Sequence, residues 1–277
     1  MKTRTNTLAL ALVILGLAAT VARGQEVLSF NGGTFATNPI GTALRDLEID
    51  SVSALGSEDF LLKLRSQAWD LVLVRVKNRF LPGFEADILA ELEAHVARGG
   101  KLHFQMADLE NVPQGWYDLL GLEGAVDLEL PLQSIRVAPP RHPMIAGGGA
   151  LPLFDEVFPP DYGDALVPSA GSTVVQHFEV DRRASTVLTR SGRVVVNGQQ
   201  WDNWSRGDAE FMAAGQIRWL LRCPADLDLD GQATINDFLV FQNLFDLQDT
   251  VADVDGDGAW TVFDFLEYLN AFEEGCP

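Results

Sequence analysis

The chain has 277 residues, 47% of them hydrophobic, and sets 39 acidic against 20 basic side chains for a formal charge of −19. That length accommodates one sizeable core plus a small accessory module. The acidic balance argues against a nucleic-acid partner, because neutralising phosphates needs a basic face and none is visible.

In chain order, Lys2 and Arg4 precede an apolar run from Leu8 to Val21, and Ala22-Arg23-Gly24 offers small residues for cleavage before Gln25. This reads as a secretory signal over residues 1–24, with a secreted or cell-surface destination and no membrane span after cleavage. An uncleaved anchor is the alternative, for which the run is short.

Residues 25–222 alternate strand and helix. Glu26 to Phe30 predicts a strand, and Asn38-Pro39 opens a helix with Ile40, Ala43, Leu44 and Leu47 on one face. Ser51 to Leu55 predicts a second strand. Ser57-Glu58-Asp59 caps a helix through Leu61 and Leu64. Leu71 to Val76 is almost continuously apolar, as expected of a parallel strand covered on both faces. Phe84 to Arg98 predicts a helix with Ile88, Leu89, Leu92 and Val96 inward, ended by Gly99-Gly100, and Leu102 to Met106 the next strand. Right-handed crossovers then imply an α/β fold, a flavodoxin-like doubly wound parallel sheet with its crevice at the strands' C-terminal ends. Val126 to Leu132, Thr173 to Val180 and Ser185 to Thr189 alternate, suggesting extra antiparallel strands. Gly192 to Val196 returns to the sheet, and Asp208 to Arg222 forms a closing helix.

Trp69-Asp70-Leu71-Val72-Leu73-Val74, His95 to Leu102, His142-Pro143-Met144-Ile145, Phe154-Asp155-Glu156-Val157, Gly192-Arg193-Val194 and Gly215 to Leu220 give this region a resemblance to the class I glutamine amidotransferase-like fold, most of all its ThuA-like branch. The resemblance implies a nucleophile elbow after a central strand. Here that turn reads Met106-Ala107-Asp108, and no cysteine precedes Cys223, so glutaminase chemistry is excluded. Four histidines remain: His95 reads as a solvated helix residue, and His103 and His177 as structural residues within strands. His142, with Asp155 or Glu156, is the alternative acid-base set for a ThuA-like enzyme acting on carbohydrate. Gly147-Gly148-Gly149 lacks the setting of a phosphate loop. Trp201 and Trp204 suit either a sheet edge or a sugar face.

Residues 223–277 differ in kind: they carry thirteen carboxylates and no Lys or Arg. Asp226, Asp228, Asp230, Gly231, Gln232, Thr234 and Asp237 occupy positions 1, 3, 5, 6, 7, 9 and 12 of one loop. Asp253, Asp255, Asp257, Gly258, Ala259, Thr261 and Asp264 repeat the pattern 27 residues on. Alternate carboxylates, a glycine at the bend and a main-chain carbonyl at position 7 make an oxygen cage for calcium, one ion per loop and two in all. Like charges about 4 Å apart repel by roughly 4 kcal/mol per pair at an effective dielectric near 20. Removing the ions is therefore expected to unfold residues 223–277 selectively. The following helices repeat too: Phe238, Leu239, Phe241 and Phe245 recur as Phe265, Leu266, Tyr268 and Phe272, which predicts mutually packed apolar faces.

These tandem loop-helix repeats, with Asp at position 12, resemble the dockerin module, and Cys223-Pro224 and Cys276-Pro277 resemble its cysteine-flanked variant. The resemblance implies a cohesin-like or cell-surface receptor as partner. Positions 10 and 11 hold Ile235-Asn236 and Val262-Phe263 where a small hydroxyl pair is common in the family. In an oxidising compartment a Cys223–Cys276 bridge would add about 4 kcal/mol in the chain-entropy model. Two free thiols are the alternative.

Overall fold

The structure is a computed structural model and describes residues 25–33, 35, 37–77, 80, 83–128, 135–138, 142–146, 163–179, 182–199, 201 and 206–276. Residues 1–24, where a signal is expected, together with Asp155, Glu156, Trp204 and the triple glycine at 147–149, lie outside them. No helix among the described residues is long and apolar enough to cross a membrane.

Five strands run parallel: β1 (Val27–Gly32), β2 (Ser51–Ala54), β3 (Leu71–Val76), β4 (Lys101–Met106) and β10 (Val194–Asn197). Their order is β2-β1-β3-β4-β10, so the winding reverses between β1 and β3. The doubly wound sheet is thus as the apolar runs predict. Side chains alternate between two cores. Leu71, Leu73 and Val195 face α1 (Pro39–Asp46) and α6 (Arg206–Leu221), while Val72, Val74, Val76 and Val196 face α2 (Ser57–Ser66), α3 (Glu85–Ala97) and α4 (Gln114–Leu120). A strand with helices on both faces buries both pleats, which is why Leu71–Val76 is nearly unbroken.

Beyond β10 the sheet continues antiparallel through β9 (Ala184–Thr189), β7 (Asp164–Pro168) and β5 (Leu122–Asp127), with β8 (Thr173–Phe178) on β9 and β6 (Ile135–Val137) on β8. The strand expected at Val126 to Leu132 starts earlier, at Leu122, directly after the left-handed Gly121 that ends α4. Strand β7, helix α4 and the short α5 (Pro143–Ala146) carry no clear periodicity and were not anticipated from the sequence.

His95 is not a solvated helix residue. It is 2% exposed, and its Nε2 lies 2.9 Å from the Lys101 carbonyl, because the Gly99-Gly100 turn folds β4 back across the end of α3. It takes the inward place expected of Leu89, which is only partly buried.

After α6 the chain passes straight into the repeats, with α7 (Ile235–Asp246) and α8 (Val262–Glu274) behind the two loops. Phe241 stacks on Tyr268 at 4.0 Å between ring centroids and meets Phe265 edge-on at 4.9 Å. Leu239 and Leu266, expected in the same seam, point outward at 51% and 53% exposure. Each sits two residues before the buried aromatic, about 200° around a helix of 3.6 residues per turn. Cys223 and Cys276 are bridged, with Cα atoms 5.5 Å apart.

The repeats are not a pendant module. Leu227, Phe241, Leu244, Val251, Ala252 and Tyr268 belong to the same continuous core as Met144, Val175, Trp219 and Leu220. The Thr250 amide donates to the Thr173 hydroxyl at 3.1 Å, and Arg222 lies over the Trp219 ring at 3.6 Å.

Candidate metal centres and the crevice of the sheet

The first loop is organised by its own carboxylates. Asp226 accepts from the amides of Asp230 and Gly231, each at 3.1 Å, and Asp228 from Asp230 at 3.1 Å. Asp230 accepts from Gln232 at 2.9 Å. Asp237, at position 12, takes the amides of Leu227 (2.7 Å) and Asp228 (2.9 Å) on one oxygen and that of Thr234 (2.7 Å) on the other. Asp237 therefore ties the loop's start to the N-terminus of α7, where it completes a capping box with Thr234.

The second loop repeats these bonds. Asp264 accepts from Val254 at 2.8 Å and from Thr261 at 2.7 Å, Asp253 from Gly258, Asp255 from Asp257 and Asp257 from Ala259. Gly231 and Gly258 adopt φ of +87° and +83°, the left-handed bend that position 6 requires. In each loop three carboxylates place an oxygen within 4.8 Å of one another: Asp226, Asp228 and Asp237 in the first, Asp253, Asp255 and Asp257 in the second.

Such hard-oxygen sets fit a calcium ion, and no imidazole or thiolate belongs to either. Burial, with the Asp237 carboxylate beside them, pushes Asp226 and Asp228 above the ordinary carboxylate range. Burial does the same to Asp253, with Asp264 adding to it. Asp230 and Asp264 stand outside these two groups, and the amides of Gln232 and Ala259 donate to Asp230 and Asp257.

Above the repeats' core, the outer sides of α7 and α8 expose Ile235, Leu239, Val262, Phe263, Leu266 and Leu269 at 41–67%. Positions 10 and 11 of both loops contribute to this face.

A second polar cluster lies at the C-terminal ends of the parallel strands. The register sets Asn31, Arg75, Gln105 and Asn197 side by side across β1, β3, β4 and β10. Arg75 is fully buried. Its Nε donates to Gln105 at 2.8 Å, its Nη1 to the Thr37 carbonyl at 2.8 Å, and its guanidinium lies 3.9 Å from the centre of the Phe35 ring. Gln105 donates onward to the Gln199 carbonyl at 2.6 Å. One row below, His103 Nε2 lies 2.7 Å from Gln216 Oε1, and Gln216 and Asn197 exchange amide hydrogen bonds at 2.9 Å. Burial lowers His103 to about 4, so the ring is neutral, and its Nε2 also lies 3.1 Å from the Asn197 amide nitrogen.

Ala107 occupies the elbow after β4, followed by one 3-10 turn over Leu109–Asn111. Backbones crowd the crevice wall: a Cβ on Gly163 would lie 1.9 Å from the Gly198 carbonyl, and one on Gly198 2.0 Å from that of Asp164. Sequence reasoning passed over Arg75, Gln105, Gln199 and Asp164, although an arginine inside the apolar run Leu71–Val76 was a visible signal.

His142 lies elsewhere, at the seam with the repeats. It is 4% exposed, packs edge-on against Trp219 at 4.6 Å, and accepts the Met144 amide on Nδ1 at 3.1 Å. Burial lowers it to about 3. Trp201 is fully buried, a core residue beside His103.

Asp164 is fully buried and accepts the Leu109 amide at 2.9 Å. Burial, then the neighbouring Glu110 carboxylate, raises it far above the ordinary carboxylate range. A raised folded pKa stabilises fully below the unfolded value of about 4 and loses that contribution as pH climbs to the folded one. Asp164→Asn keeps an acceptor for the Leu109 amide and cannot ionise. Urea midpoints at pH 5 and pH 8 should fall with pH in the parent and hold more level in the variant. Equal falls would refute a raised Asp164.

No protein-family model matches the sequence, and no curated protein matches it either. Among solved structures, the chain is similar to a GMP synthase candidate from Thermoplasma acidophilum, at 14% identity and a TM-score of 0.47, covering 70% of this chain and 94% of the other. It is also similar to a glutamine amidotransferase from Thermotoga maritima, at 10% identity and a TM-score of 0.45, covering 64% and 76%.

Proposed function

We propose that this is an exported, calcium-binding docking protein: residues 223–277 act as a dockerin-like module holding two Ca²⁺ ions, and residues 25–222 form a non-catalytic amidotransferase-like scaffold. The observation that carries the reading is the pair of loops, each bringing three carboxylates within 4.8 Å in the same bonding pattern. Bound calcium neutralises that repulsion and fixes the start of each following helix, because the position-12 carboxylates Asp237 and Asp264 also cap α7 and α8. Ion binding thereby sets the exposed row of Ile235, Leu239, Val262, Phe263 and Leu266 in one geometry.

The fitting partner is a cohesin-like or cell-surface receptor whose apolar patch carries a basic rim, since the module has thirteen carboxylates and no cation of its own. A carbohydrate-processing enzyme has less to rest on, because His142 is buried and its Nδ1 is engaged by Met144. Calorimetry on the full chain should show two bound calcium ions, falling to one in Asp264→Ala. Capture of a receptor from the producing cell's envelope should fail both with a chelator and with Phe263→Ser. Absence of calcium uptake, or capture indifferent to Phe263, would overturn the reading.

A further inference from the structure

At the opposite edge of the sheet from the crevice, where the N-terminal ends of the parallel strands meet the repeats, lies a cavity of about 820 Å³. Its walls include Lys101, Arg98, Arg222, Asp70 and Trp69, and it is closed on one side by the Cys223–Cys276 bridge. We propose that this cavity is a binding site for a small organic oxyanion, a carboxylate or phosphate ester, held by Lys101 and Arg98 with Arg222 behind them.

The argument begins with charge. In a chain of 39 acids and 20 bases, three cations converge on one cavity. None of them forms an ion pair with a described carboxylate. Two carboxylates, Asp70 and Asp226, stand in the same wall, so the cations outnumber the anions there by one. Asp70 accepts the Glu26 amide at 2.8 Å, and Asp226 accepts two amides of the first loop. The cavity therefore keeps one uncompensated positive charge, partly withdrawn from water, and an anion that enters it lowers that cost.

The lysine is also built in. Its amide donates to the Asp70 carbonyl at 3.1 Å and its carbonyl takes the His95 bond at 2.9 Å, so the main chain is fixed and only the side chain enters the cavity. This gives the buried His95 a role in positioning. Burial, then Arg222, lowers the Lys101 ammonium to about 8 against the opposing pull of Asp70. Three ammonium donors and the guanidinium fork of Arg98 suit the several acceptors of an oxyanion. The volume lies in the range of small-ligand pockets and leaves room for an organic body beside Trp69. The site itself uses no metal, although Asp226 and Gly231 of the first loop form part of its wall.

Competitive acetylation of the full chain, followed peptide by peptide in a mass spectrometer, tests this with Lys63 and Lys77 as internal references. Phenyl phosphate and succinate are the two probes, and sodium chloride at equal ionic strength is the control. One probe should slow Lys101 labelling saturably, by at least tenfold, and leave Lys63 and Lys77 unchanged. Which probe does so assigns the phosphate or the carboxylate. Arg98→Ala, at an exposed helix end, should raise the half-saturating concentration about tenfold without changing the melting temperature. Protection no greater than that of chloride, equal protection of all three lysines, or an Arg98→Ala curve that overlays the parent's would overturn the site.

Discussion

Removing calcium from the intact protein is expected to lower the melting temperature of the whole chain in one transition. Sequence alone suggested selective unfolding of residues 223–277, but the core does not stop at Cys223. Leu227, Phe241, Leu244 and Val251 pack into the layer that holds Trp219, Leu220 and Met144, and the Thr250 amide is bonded to Thr173 of β8. At an ion concentration of 100 Kd each site stabilises the folded state by about 2.7 kcal/mol, so two sites give roughly 5 kcal/mol. At about 2 to 4 °C per kcal/mol for a chain of this size, the shift is on the order of 10 to 20 °C. Scanning calorimetry with and without chelator measures it. Hydrogen exchange locates it, and protection should fall in β8 and α6 as well as in α7 and α8. Two separated transitions, with β8 and α6 unaffected, would contradict a shared core.

The parts of the molecule legible in the sequence are those whose physics is local. The two loops declare themselves because ligand spacing, the position-6 glycine and the position-12 carboxylate all fall within twelve residues. The strands β1, β3 and β4 do so because burial on both faces leaves an apolar run. The crevice network was not legible, because Asn31, Arg75, Gln105 and Asn197 become neighbours only through the register of four parallel strands. The turn Gly99-Gly100 marked the end of α3, but not that His95 would fold under Lys101. The exposed row on α7 and α8 was misjudged at Leu239 and Leu266, since an apolar residue beside an aromatic reads as core until the helix phase is fixed by a partner.

Phe241→Ala is the substitution expected to cost most among the repeats, and its reach tests how the molecule is assembled. The ring is fully buried, lies parallel to Tyr268 at 4.0 Å and meets Phe265 at 4.9 Å, so truncation removes a stacked pair and opens a cavity. Phenylalanine-to-alanine changes in cores cost about 3 to 5 kcal/mol. Leu239→Ala, on the outer side of the same helix and half exposed, should stay within about 0.5 kcal/mol and serves as the control. Phe60→Ala, in the opposite core and stacked on Phe30 at 4.6 Å, should cost as much as Phe241→Ala and add to it, because the sheet separates the two sites. The distinguishing measurement is the Trp219 contribution to the near-ultraviolet dichroism, taken as the difference from a Trp219→Phe background, since Trp219 shares its core with Phe241. If Phe241→Ala loosens that signal while Leu239→Ala does not, the repeats and the α/β layer are one cooperative unit. A Trp219 contribution unmoved by Phe241→Ala would make residues 223–277 an independent domain.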